Sequence, residues 1–488
     1  MATFLGSMVI GAAACAPMSL GLHAQTAGVD QRSEFVVLDP TGRYFIDGKT
    51  GHPVFMQGEQ AYNLADELSS AADIQLYLST RRSEGFNFIW MGATDMGNHD
   101  SSPNNNWPTH GSGTAPFGAK PFVEMNEKYF EHLDYVLEQA AAYGFEVLLM
   151  PAFVGSGPTY CSDSTGWCLE LQAASTADLR AFGARLGQRY AKYPNIIWLL
   201  GGDLDLVHYR RLQAKEEAIA SGLRTADPNH LMTIENEAGT TGFNSQDHKG
   251  GSAWPNGSWQ LDSFYHDVSG SPGQGTINGD LNSAYTRRDH LPTYLLEDSL
   301  EGETLSPSDL GQRTEKYQAV LGGATLGAVF GNCVMWSFGF HYSYCPSWTS
   351  SAQWRTHFDT AGARAMRHFG KLFRSREFWK LVPDSSNTVL KGGIGSGATE
   401  SVAACTSDGQ SCIVYDPLGN AQKPQIAMDH FSGTIHAWWF NPQSGSTTDS
   451  GTFAGQGTHT FTPPDGNDWV LVLDLDAAGL PAPGTSAE

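Results

Sequence analysis

The chain has 488 residues, 40% of them hydrophobic, with 55 Gly and 13 Trp; that length suggests two domains, and that composition excludes a disordered or fibrous polymer. With 51 Asp+Glu against 29 Lys+Arg the net charge is −22, so no broad basic face is expected and nucleic acid is set aside as a partner. An anionic polymer would also be repelled at long range, subject to salt screening.

Residues 1–24 read as a signal peptide: an apolar run with no Asp, Glu, Lys or Arg before Asp30, ending in small residues, with cleavage after Ala24. The positive n-region usual in such leaders is missing. Ala12-Ala13-Ala14-Cys15 also loosely matches a lipoprotein box, which would put a lipid anchor on Cys15. A secreted or periplasmic location is expected, without a transmembrane segment, since no later apolar run is long enough to span a bilayer. Seven cysteines support export. Beyond Cys15 they fall into close pairs, Cys161/Cys168, Cys333/Cys345 and Cys405/Cys412, which suggests local disulfides, because no metal-type spacing occurs.

From Phe35 to Gly51 the turn signals Pro-Thr-Gly and Asp-Gly-Lys-Thr-Gly separate short strands, a hairpin suited to closing a barrel floor. Apolar strand-like runs then start at Val54, Phe86, Phe145, Ile196, Leu231, Leu261, Thr293 and Cys333. Helix-like stretches alternate with them. Lys128 to Gly144 ends in a C-cap glycine, and a second begins at a Ser175 or Thr176 N-cap and stops before Pro194. Arg210 to Thr225 and Arg313 to Gly327 read the same way. Eight continuous apolar strands alternating with helices predict an α/β fold, a (β/α)8 TIM barrel over 34–379 that includes the N-terminal hairpin. An open doubly wound sheet would carry a Gly-rich phosphate loop, and none follows an early strand. From about Lys380 the helical period disappears. Short strands near Thr388, Ser401, Cys412, Gln425, Ile435 and Asp468 predict an antiparallel β-sandwich over 380–478.

In such a barrel chemistry sits at the carboxyl ends of the strands. Strand 4 ends in Gly201-Gly202-Asp203 and strand 7 in Glu297-Asp298-Ser299-Leu300-Glu301, on opposite sides of the mouth. Two carboxylates across a pocket, one protonated and one ionised, suit glycoside hydrolysis. Asp203 is assigned as acid/base and Glu297 as nucleophile, with Glu301 as the rival to Glu297. The other strand ends supply expected substrate-binding groups: Glu59, Gln60, Tyr62, Asp95, Glu235, Asn236, His266, Trp336 and His341, together with Glu301. Each also has a structural reading as an ion-pair partner or core side chain. No cofactor is expected. A metal set from Glu235, Glu237, His266 and Asp267 is not demanded by spacing, and no Gly-x-Ser-x-Gly elbow points to a serine hydrolase.

Several segments, in order, resemble a known family: Arg43 to Phe55, Arg82 to Ile89, Asn195 to Asp203, Glu297 to Glu301, and Ala319 to Gly331 with the following Val-Met-Trp. The chain resembles the apiosidase-like glycoside hydrolases, family 140, whose barrel is often followed by a small domain labelled collagen-binding. The resemblance implies catalytic residues at the Asp of Gly-Gly-Asp and the first Glu of Glu-x-x-x-Glu, here Asp203 and Glu297. It also implies an oligo- or polysaccharide substrate bearing a furanoside such as apiose. The pocket departs from the pattern at Gly58-Glu59-Gln60, at Asp298 where Pro is usual, and at Glu235-Asn236-Glu237. Arabinofuranose or galactofuranose therefore stand beside apiose. The competing reading is a non-catalytic carbohydrate- or matrix-binding protein on a degenerate barrel.

Overall fold

The computed structural model describes residues 36–95, 113–155, 166–202, 210–235, 240–241, 259–266, 276–287, 290–304, 308–338, 345–346, 349–350 and 352–485. Three short antiparallel strands come first, β1 (Val36–Leu38), β2 (Phe45–Asp47) and β3 (Pro53–Val54). Both turns are set by aspartates. Asp39 accepts the backbone N–H groups of Thr41 and Arg43 at 2.8 and 2.7 Å, and Asp47 accepts that of Thr50 at 2.7 Å. Phe45, fully buried, stacks on Phe88 inside the following sheet at 5.7 Å, so the hairpin plugs one end of it.

That sheet contains β4 (Met56–Gln60), β5 (Phe88–Gly92), β6 (Glu146–Met150), β7 (Ile196–Gly201), β8 (Met232–Glu235), β9 (Thr240–Thr241), β10 (Asp262–Tyr265), β11 (Thr293–Glu297) and β12 (Gly327–Phe330). The order is β8-β7-β6-β5-β4-β12-β11-β10-β9, parallel throughout except for the short β9. Side-chain and main-chain bonds close the ring between β8 and β10: Gln260 N–H donates to the Met232 carbonyl at 3.0 Å and the Thr233 hydroxyl to that of Leu261 at 3.2 Å. Around it run α1 (Leu64–Glu67), α2 (Ala71–Ser83), α3 (Glu127–Ala142), α4 (Cys168–Ala173), α5 (Thr176–Tyr190), α6 (Arg210–Ala226), α7 (Ile277–Tyr285), α8 (Asp309–Gly322), α9 (Cys333–Ser337) and α10 (Ala361–Arg374). Of the two N-cap candidates for α5 it is Ser175 that caps, its hydroxyl accepting Asp178 N–H at 3.0 Å, and Thr176 is the first helical residue.

The barrel is thus the one expected, with one correction. The eighth strand is β12, and the apolar run Cys333–Ser337 is the helix α9. Asn332 decides this: its side-chain oxygen accepts the N–H groups of Val334 and Met335 at 3.0 and 3.2 Å and starts a helix there. The expected helix from Arg313 to Gly327 accordingly ends at Gly322. Gly327 has φ +130°, and a Cβ on it would lie 2.1 Å from the Met56 carbonyl oxygen, so only glycine lets β12 close against β4.

The remaining strands are β13 (Leu381–Pro383), β14 (Leu390–Gly392), β15 (Val402–Thr406), β16 (Ser411–Asp416), β17 (Gln425–Ala427), β18 (Ile435–Phe440), β19 (Thr447–Phe453), β20 (Thr458–Thr460) and β21 (Trp469–Leu475). They form two antiparallel sheets, β13-β15-β16-β21-β18-β19 and β14-β17-β20. The larger is apolar on both faces. Val414, Leu471 and Leu473 pack toward the small sheet, while Ile413, Tyr415, Val470 and Val472 join the barrel's own core. Alternation along a strand delivers successive residues to two different cores. Buried ion pairs cross the same boundary, Arg313 to Asp468 at 2.8 Å and Arg376 to Asp474 at 2.7 Å. Disulfides join Cys333 to Cys345 and Cys405 to Cys412. Cys168 is disulfide-bonded too, and Cys161, its expected partner, lies outside the described residues. Among the described residues no helix is long and apolar enough to cross a membrane.

Candidate active site

Which way each strand-end side chain points follows from register. On β4, Gln57 and Glu59 face the helices and Gly58 faces inward, where a Cβ would meet Val329 and Phe88. The parallel pairings carry this parity around the ring: Gly58 with Phe88, Gln60 with Trp90, Leu199 with Thr233, Gly201 with Glu235. Gln60 and Glu235 therefore end their strands on the inner face, and Trp90 faces inward from the middle of β5.

An aromatic cluster collects at this mouth around Tyr62. Its ring lies 6.4 Å from Trp90, 5.7 Å from Phe153 and 6.2 Å from Trp336. Burial, and then the nearby carboxylates of Asp95 and Glu235, hold the Tyr62 phenol well above its ordinary range. Of the expected binding groups, Gln60, Tyr62, Asp95, Glu235 and Trp336 are thus gathered in one place. Both amide atoms of Gln60, the Asn63 amide nitrogen and the Trp90 indole nitrogen are buried with no hydrogen-bond partner among the described residues. Buried polar atoms are nearly always paired in proteins, so these mark a place where a polar partner is called for. Asn63 follows Tyr62 at the strand end already read as polar, whereas Trp90 and Phe153 are not singled out by the sequence, where a Trp inside an apolar strand reads as core.

Glu297 reaches the mouth by an irregularity. Phe264 pairs with Leu295, but Tyr265 pairs with Glu297, so the register slips at Leu296. The outward row contains Leu295 and Ala328 and continues to Phe330, which packs near α10. Strict alternation would send Glu297 outward as well. The slip instead pairs it with Tyr265, whose neighbour His266 faces α8, and so turns the carboxylate inward. Glu297 is 9% exposed. The next residue, Asp298, takes the outward side, fully buried, 2.5 Å from Lys316 Nζ on α8.

Opposite, β7 ends at Gly201, which has φ +90°, and Gly202 follows it with φ +113°. A Cβ on Gly202 would sit 2.4 Å from the Phe153 ring, so both the left-handed backbone and the close ring require glycine. Glu216 of α6 lies beneath. It is completely buried and accepts Gly201 N–H at 3.2 Å, and burial pushes its carboxyl up to about 8. Nothing in the helical run around Glu216 distinguishes it from a solvated residue.

Three expected groups are not brought into the cluster. Glu59 is turned outward into a bidentate pair with Arg81 at 2.6 and 2.7 Å and also accepts the Tyr77 hydroxyl at 2.8 Å. Burial still pushes its carboxyl up against the Arg81 charge. Glu301 accepts Gly362 N–H at 2.7 Å at the start of α10 and the Asn332 amide at 2.8 Å, an anion at a helix N-terminus. His266 Nδ1 lies 3.7 Å from Glu315 of α8. Asp203, Asn236 and His341 lie outside the described residues, as do Glu237 and Asp267 of the metal set considered above. Among the described residues the one grouping with metal-ligand spacing is Cys405, Cys412 and His430, and its two thiols are joined in a disulfide.

Comparison with known proteins bears on this geometry. Residues 39–380 match a family model described as "Apiosidase-like, catalytic domain". Residues 382–474 match one described as "Putative collagen-binding domain of a collagenase". A solved glycoside hydrolase aligns over 91% of this chain and 97% of its own, with TM-score 0.70 and 21% identity. A family 5 glycoside hydrolase from Bacteroides vulgatus aligns over 91% of this chain and 94% of its own, with TM-score 0.72 and 19% identity. A comparison with curated proteins finds no match.

Proposed function

Because the chain belongs to the apiosidase-like family and is a glycoside hydrolase, we propose that it cleaves a furanoside from a plant or microbial polysaccharide with two carboxylates. Apiose-like, arabinofuranosyl and galactofuranosyl units are the candidates. Glu297 is the nucleophile: its carboxylate attacks the anomeric carbon while Asp203 protonates the departing oxygen. Asp203 then takes a proton from the water that releases the sugar. The observation that supports this reading is the register slip at Leu296, which turns a buried acid into the mouth at the carboxyl end of β11. The glycine turn at the end of β7 immediately precedes Asp203.

Tyr62 and Trp336 offer aromatic faces to the sugar, and Gln60, Asp95 and Glu235 offer hydrogen bonds. Asn236 and His341 belong to the same expected set. We assign the protein to the cell exterior or periplasm, in keeping with its disulfides. Asp203→Asn and Glu297→Gln are each expected to abolish sugar release from a panel of furanoside glycans while leaving the melting temperature in place. Full activity in both variants would overturn the assignment, and polymer binding without turnover by the wild type would favour the binding-protein alternative.

A further inference from the structure

We propose that Asp298 and Lys316 are positioning residues, a clamp that fixes the rotation of the end of β11 and thereby the aim of Glu297. The inference rests on the reading of Glu297 as the nucleophile. Successive residues of an extended segment point to opposite sides. Anchoring Asp298 outward therefore holds Glu297 inward, which is the arrangement the slip at Leu296 creates.

The anchor is more than one bond. Lys316 Nζ lies 2.5 Å from Asp298 Oδ2 and donates to Gln312 Oε1 at 3.1 Å. Gln312 in turn donates to the Ser299 carbonyl at 2.5 Å. Two consecutive residues after Glu297 are thus tied to one turn of α8. Burial pushes the Asp298 carboxyl up even against the Lys316 charge. Such a pair is an expensive way to gain stability, since apolar side chains of similar size often serve as well. What an apolar pair would not supply is direction.

The helix that carries the clamp is itself immobilised from behind. Arg313 makes a bidentate pair with Asp468 at 2.8 Å, and Tyr317 stacks on Tyr415 at 4.7 Å with the rings nearly parallel. The Gln318 amide donates to the carbonyls of Gly397 and Glu400, each at 2.9 Å. Tyr415 lies in β16, Asp468 immediately precedes β21, and Gly397 and Glu400 lie in the turn between β14 and β15, so every partner belongs to the C-terminal domain. The sandwich therefore acts on the mouth through α8: a shift of the sheet moves the helix, and the helix carries residues 298 and 299 with it.

The test is the double variant Asp298→Asn/Lys316→Met, which removes both charges together, assayed on the 4-nitrophenyl furanoside that the wild type hydrolyses fastest. A misaimed nucleophile costs chemistry rather than binding. We expect kcat to fall on the order of 100-fold, with KM within about twofold of wild type. Gln312→Leu, which cuts the link to Ser299 and one hydrogen bond of Lys316 while leaving both charges of the clamp in place, is expected to lower kcat by about 10-fold on the same grounds. It serves in place of the double variant if that one does not fold. Wild-type kcat in a folded variant would overturn the clamp, as would a loss of kcat matched by an equal rise in KM. Glu297→Gln is run alongside. If it stays active, the assignment of the nucleophile fails; if it is inactive while the clamp variants are normal, only the clamp fails.

Discussion

Glu216 makes a prediction whose sign runs against habit for an acid. Its carboxyl is completely buried, receives one backbone N–H at 3.2 Å from Gly201, and is raised from 4.5 to about 8. Desolvation is the larger cause, and no charged group offsets it. In the unfolded chain the group ionises near 4.5, while in the folded protein it keeps its proton until about pH 8. Between those values the native state binds the extra proton, so this residue's contribution to stability is complete below 4.5 and is lost as pH rises through about 8. The loss is about 1.4 kcal/mol per pH unit. Glu216→Gln keeps an oxygen for Gly201 N–H and removes the titration. The variant should match wild type near pH 4.5 and exceed it by about 3 kcal/mol at pH 7 and by about 4–5 kcal/mol at pH 8, as an upper bound. Urea denaturation of both proteins at pH 5, 6, 7 and 8 measures this as a difference, in which the other titrating groups cancel. A stability difference that stays constant over that range would refute the reasoning, because it would mean that Glu216 is ionised when folded.

Other perturbations have equally definite outcomes. Arg81→Met strands the Glu59 carboxylate in a site with no solvent exposure, and calorimetry should register a loss of about 3–5 kcal/mol. Asp468→Ala leaves the Arg313 guanidinium buried without its carboxylate; a similar loss, about 3 kcal/mol, should appear as the sandwich and barrel transitions drawing apart. Gly202→Ala forces a methyl group into the Phe153 ring at a φ of +113°, so activity should fall well before bulk secondary structure does, read by kcat and circular dichroism side by side.

Much of the barrel is legible in the sequence because its strands are buried on both faces and so read as unbroken apolar runs. The eighth strand is the exception. Gly327-Ala328-Val329-Phe330 is short and glycine-led because it must pass close to β4, whereas the more conspicuous run just after it is pulled into a helix by Asn332. In the sandwich, β19 escapes notice for the opposite reason. As an edge strand it has no buried residue and, up to its last residue Phe453, consists of Thr, Asp, Ser and Gly, so no apolar alternation marks it. The mouth is legible down to its strands but not to the facing of each side chain. Glu59 and Gln60 are adjacent acid and amide, and only register shows that Glu59 meets Arg81 while Gln60 turns inward. The slip at Leu296 leaves no mark in composition or spacing, yet it reverses the faces of Glu297 and Asp298.

From Gln312 to Gly322 every residue of α8 is buried, polar and charged ones included. A helix without a wet side has no outer boundary of its own, so the barrel and the sheets behind it share one wall. A fragment cut near residue 380 to isolate the catalytic half would lay that wall open, exposing Arg313 and Gln318 without their partners beside the bare ring of Tyr317. Such a fragment should come out of expression as aggregate, and co-expressing the missing sheets as a separate chain should bring it back into solution.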